Sequence, residues 1–83
     1  MAQAIVMINV DVGKENEIFE KLYEIPEVKE VYMVYGIHDL IAVIEADTMD
    51  ALRTLITEKV RRMEGVKSTL TNIVVMSKKK TTA

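Results

Sequence analysis

The sequence predicts one α+β domain of order β-α-β-β-α-β, and three observations carry that prediction. Apolar residues alternate at period two from Ala4 to Val12, two later segments carry apolar stripes at helical spacing, and the second half of the chain repeats the pattern of the first. With 83 residues there is room for a single core, and a domain of that size leaves a small margin over conformational entropy unless something adds burial. Self-association is the simplest addition.

Ala4, Val6, Ile8, Val10 and Val12 share one face of a first strand running from Ala2 to Val12, with Gln3, Ile5, Met7, Asn9 and Asp11 on the other. Gly13 breaks that strand. Ile18, Phe19, Leu22 and Ile25 then form the stripe of a first helix, whose opening turn puts Glu15 and Glu17 near the positive end of the helix dipole. Pro26 lacks a donor and disfavours a helical Ile25, so the helix stops there.

Val28 to Tyr35 is rich in β-branched and aromatic residues, as a strand should be, and Gly36-Ile37-His38-Asp39 follows as a short turn. Leu40 to Ile44 is an unbroken apolar run that reads as a central strand covered on both sides, antiparallel to its predecessor. Asp47 or Thr48 caps a second helix with the buried stripe Leu52, Leu55, Ile56, Val60 and Met63, closed by Gly65. Lys59, Arg61 and Arg62 fall on its outer face. Val66 to Val75 is the last strand, the domain is 1–76, and Ser77 to Ala83, with Lys78-Lys79-Lys80, reads as a solvated tail.

The repeat has an offset of 38 positions, from Val28-Lys29 to Val66-Lys67, and at that shift Leu22 falls on Val60, Ile18 on Ile56, and Ala4-Ile5-Val6 on Ala42-Val43-Ile44. Two similar βαβ halves give the ferredoxin-like fold, a four-stranded antiparallel sheet with two helices on one face because crossovers are right-handed. The opposite face, carrying Ile5 and Met7, is too apolar for water, so a second copy is expected to cover it in an assembly of the dimeric α/β-barrel type.

Composition removes several functions. There is no cysteine for a disulfide or thiolate, and His38, the single histidine, cannot build a zinc shell. A net charge of −2 gives no global attraction for nucleic acid or anionic lipid. Met1-Ala2-Gln3-Ala4 lacks the features of a signal peptide, and no apolar run approaches the roughly 18 residues of a membrane span, which points to the cytoplasm. No glycine-rich phosphate loop or nucleophile beside the histidine appears, and neither cofactor nor enzymatic activity is expected.

Four pieces taken in order carry a resemblance: Asn9-Val10 before a Gly-Lys-Glu helix start, Ile25-Pro26-Glu27-Val28-Lys29-Glu30-Val31, Tyr35-Gly36-Ile37-His38-Asp39-Leu40, and Gly65-Val66-Lys67-Ser68-Thr69-Leu70-Thr71. From Ile5 to Met76 the chain resembles the effector-binding domain, RAM, of the Lrp/AsnC transcriptional regulators. The resemblance implies dimerisation through the sheet, octamers or related rings, and an amino acid effector held between dimers. It also implies a stand-alone RAM protein, since the regulators carry an N-terminal helix-turn-helix and this sequence opens on the first RAM strand. Such a protein is expected to sense an amino acid or to join full-length regulators, without touching nucleic acid or membrane itself.

The candidate ligand-binding residues are Tyr35, Gly36, Ile37, His38 and Asp39, because glycine admits a close backbone approach and a carboxylate accepts hydrogen bonds from an α-ammonium group. The plain alternative is that Gly36 supplies a positive φ and Asp39 bonds its own turn. Thr69 and Thr71, two apart on one strand face, can line a polar pocket beside that turn or simply suit an exposed strand. A small dimeric α/β-barrel enzyme of the monooxygenase or isomerase type shares this fold, but needs a deep pocket between sheet and helices lined by an acid or base. A purely structural partner of full-length regulators is the third reading.

Overall fold

The computed structural model describes residues 1–80. The elements are β1 (Ala2–Val10), α1 (Glu15–Tyr23), β2 (Val28–Met33), β3 (Leu40–Ala46), α2 (Met49–Leu55) and β4 (Val66–Ile73), with α2 running on into a π-helical turn over Ile56–Val60. The four strands form one antiparallel sheet in the order β2-β3-β1-β4. That is the ferredoxin-like fold the repeat predicts.

Alternation decides which residues make the core. Ala4, Val6 and Ile8 of β1 and Leu40, Ala42 and Ile44 of β3 are all 0% exposed, and pack against Ile18 and Leu22 of α1 and Leu52, Ile56 and Val60 beneath the second helix. The layer between sheet and helices contains no buried polar or charged residue among those described.

Strand and helix ends differ from the sequence reading, for identifiable reasons. β1 stops at Val10 and Val12 is 96% exposed, because the N–H groups of Asp11 and Lys14 bond to Gly65 and Asp11 carbonyls and fold the segment into a turn around Gly13. α1 ends at Tyr23; Ile25 remains buried, but its N–H reaches back to Leu22 in a tighter turn because Pro26 follows. β2 ends at Met33, where the Val34 N–H bonds to Asp39. β4 ends at Ile73, since β1 offers its last partner when the Val74 N–H reaches Gln3. β3 is covered on one side only: Ile41 and Val43 are half-buried on the face away from the helices. The tail positions 77–80 are exposed and without regular structure, and 81–83 lie outside the described residues.

Each edge strand carries one extra residue. On β2 the register passes from Val28↔Ile44 to Glu30↔Val43, leaving Lys29 unpaired, and on β4 it passes from Val66↔Val10 to Ser68↔Asn9, leaving Lys67 unpaired. These bulges occupy equivalent positions of the internal repeat.

Thr48 caps α2 by accepting the Ala51 N–H on its Oγ1 at 3.1 Å, one of the two caps expected. The second helix ends at Val60, with Arg61 capping it, short of the expected Gly65; Gly65 lies in the turn that leads into β4, its φ is +100° and its missing Cβ would lie 3.2 Å from Ile18 Cδ1. Gly65→Ala is therefore expected to cost about 1–2 kcal/mol for the left-handed backbone alone, plus displacement of Ile18. Gly13→Ala, with φ +87° but open space ahead of it, should cost less. Parallel urea titrations of the two variants give the comparison.

Candidate functional site

The Val34–Asp39 connection stands at the end of the sheet where β1 finishes and β3 begins. Three bonds fix Asp39 there: its N–H donates to the Ile8 carbonyl at 3.0 Å, its carbonyl accepts the Val34 N–H at 3.0 Å, and its Oδ2 accepts the Val10 N–H at 2.9 Å. Asp39 thus closes its own turn through its carbonyl and braces β1 through its N–H and side chain, because the β1 ladder on that side has run out of partners. Its second carboxylate oxygen accepts no hydrogen bond from the described residues.

Gly36 departs from the plain reading. Positive φ among the described residues is confined to Gly13 and Gly65, and a Cβ built on Gly36 meets nothing within 4 Å. Neither backbone conformation nor packing within the chain calls for glycine here. Beside it the Tyr35 and Ile37 side chains project into solvent, 108% and 90% exposed. His38 is half-buried, and its Nδ1 is enclosed without a hydrogen-bond partner.

Thr69 and Thr71 lie elsewhere. Thr69 pairs with Ile8 and Thr71 with Val6, both inward-facing, so the two threonines point to the helical side of the sheet and β1 separates them from the turn. Thr71 borders a cleft between β4 and the second helix together with Arg53, Thr57 and Arg61. Arg61 leans towards β4, where an α-helical phase would have placed it on the outer face.

The sheet face opposite the helices is apolar at its centre. Registers align Tyr32, Ile41, Met7 and Leu70 in one row and Glu30, Val43, Ile5 and Asn72 in the next. Tyr32 and Leu70 are 48% and 53% exposed. Polar pairs frame the patch: Gln3 Nε2 donates to Glu45 at one end and Asn9 Nδ2 to Ser68 at the other. At the β2 edge the Tyr32 hydroxyl donates to the Glu30 carboxylate at 2.6 Å, which raises the Tyr32 pKa above its ordinary value.

Comparison with known proteins shows the family and the fold. Residues 3–83 match the family model described as the Lrp/AsnC ligand binding domain. The chain belongs to that family. The Lrp/AsnC-type relatives include the HTH-type transcriptional regulator FL11 of Pyrococcus furiosus, 35% identical over 79 residues, which are 95% of this chain and 52% of that protein. The chain thus spans about half the length of the curated regulators it matches. Among solved structures, FFRP-DM1 is 45% identical with a TM-score of 0.88, covering 90% of this chain and 100% of that one. The Neisseria meningitidis regulator NMB0573, solved in complex with L-Met, shares the fold at 20% identity and a TM-score of 0.85, over 98% of this chain and 54% of its own. No helix in the described part of this Lrp/AsnC domain is long and apolar enough to cross a membrane.

Proposed function

We propose that this Lrp/AsnC domain is a regulatory module that binds an amino acid at the Tyr35–Asp39 turn and assembles with copies of itself through the open sheet face. Gly36 carries the reading: a glycine with an ordinary φ and empty space before it has no task inside its own chain, whereas a ligand or neighbouring backbone needs that approach. The unused oxygen of Asp39 supports this reading as an acceptor for an α-ammonium group, and the bare side chains of Tyr35 and Ile37 offer apolar cover once a neighbouring copy closes over them. The L-Met complex of the Neisseria regulator supports an amino acid as the class of ligand.

The enzymatic alternative lacks its main requirement, since the space between sheet and helices is filled by Ile8, Ile18, Leu22, Leu40, Ile44 and Leu52, without an acid or base among them. A regulatory role accords with relatives named as transcriptional regulators.

Titration calorimetry of the standard amino acids against wild type and Gly36→Ala tests the proposal. At least one amino acid should bind the wild type. Gly36→Ala should keep its stability within about 0.5 kcal/mol, yet bind that amino acid at least about tenfold more weakly, a loss of roughly 1.4 kcal/mol. Silence from every amino acid, or equal affinity in the variant, refutes it.

A further inference from the structure

We infer that the cleft between the second helix and β4 is a binding site for a phosphate group, distinct from the amino acid turn. The cleft has a volume of about 330 Å³ and is lined by Arg53, Thr57 and Arg61 from the helix and Thr71 and Ile73 from the strand, with Ile56 at its base. It adjoins a second hollow of about 260 Å³ that shares Arg61 and adds Lys67. Neither lining includes a carboxylate, although the chain has 13 acidic residues.

The π turn builds this arrangement. At about 100° per residue, an α-helix would turn Arg61 roughly 80° away from Arg53 and so further from β4. The wider turn over Ile56–Val60, marked by the Arg61 N–H donating to the Ile56 carbonyl at 2.9 Å, removes most of that rotation. Arg53, Thr57 and Arg61 then stand in line along β4. A π turn inside a helix forfeits regular hydrogen bonding and recurs at functional positions.

The charge is left available. Arg62 reaches Glu58 at 3.5 Å, while Arg53, Arg61 and Lys67 have no carboxylate within ion-pair distance among the described residues. Two guanidinium forks, an ammonium and the hydroxyls of Thr57 and Thr71 supply more donors and charge than a carboxylate monoanion can use, and suit a phosphate dianion. Ile73, 40% exposed, gives an apolar floor for the body of a phosphomonoester. The cleft lies on the helical side of the sheet, so pairing of the open faces leaves it accessible.

Calorimetry at low ionic strength, with inorganic phosphate and phenyl phosphate as probes, tests the site on the full chain. Wild type should bind both probes; tighter phenyl phosphate assigns the site to an ester and tighter inorganic phosphate to the free ion. Arg53→Gln/Arg61→Gln should weaken binding by at least about a hundredfold, at roughly tenfold or more for each charged hydrogen-bonding group lost. Arg61→Lys should fall between, because it keeps the charge and loses the fork. Arg62→Gln removes the same charge outside the cleft and should bind as wild type does. Absence of binding at millimolar phosphate, full affinity in the double variant, or an equal loss in Arg62→Gln overturns the inference. All these side chains are exposed, and circular dichroism will show the variants folded.

Discussion

Leu70→Glu is expected to convert the assembled protein into lone, folded subunits. Leu70 ends the central row Tyr32-Ile41-Met7-Leu70 and is 53% exposed in the single chain, so a glutamate there is solvated in the monomer and costs its fold little. In a two-fold pairing of the open faces the same residue is buried twice, once on each side. Each copy then places a carboxylate among apolar side chains with no partner, and either remains an uncompensated charge or takes up a proton. Together the two should cost at least about 3 kcal/mol, which is more than a hundredfold in Kd. Light scattering across a dilution series measures the shift. A wild type that is monomeric at micromolar concentration, or a variant that assembles as well as wild type, removes the sheet-pairing proposal.

Leu22→Ala should unfold a large fraction of the protein under mild denaturant. Leu22 is 0% exposed, where α1 crosses the sheet, and its counterpart in the repeat is Val60, also 0% exposed. Truncating a fully buried leucine to alanine costs roughly 2–5 kcal/mol, because the lost transfer energy is joined by the cavity left behind. Domain stabilities run at about 5–15 kcal/mol, and a small domain sits low in that range. Urea midpoints compared at one protein concentration give the difference, the fixed concentration mattering because association adds to apparent stability. Val12→Ala is the matching control: Val12 belongs to the apolar alternation of the sequence but is 96% exposed, so its truncation should leave the midpoint unchanged.

That contrast shows where sequence periodicity is informative. The alternation from Ala4 to Val10 and the stripe Ile18, Leu22 and Ile25 mark residues that are buried, since strand and helix periods report which side faces the core. Periodicity does not report where a ladder loses its partner, and so Val12, Tyr35 and Val75 read as strand residues while lying outside. The turn at Tyr35–Asp39 stands out through its glycine and carboxylate, but the grip of Asp39 on the Val10 N–H depends on β1 lying beside it, 29 positions away in sequence. The basic cleft left no such mark. Arg61 looks like an outer-face residue until the π turn rotates it, and the stripe Ile56, Val60 and Met63 suits an α-helical and a widened turn equally well.

The paired bulges at Lys29 and Lys67 bear on how copies meet. An open strand edge invites another strand to zip onto it and continue the sheet from molecule to molecule. Here both margins interrupt their ladders with a surplus lysine, placed by the internal repeat at the same point of each half. An incoming strand would find its hydrogen-bonding sequence broken and an ammonium group in its way. Growth sideways into fibrils is thereby discouraged at both borders, and concentrated solutions of this protein should form closed particles of defined size.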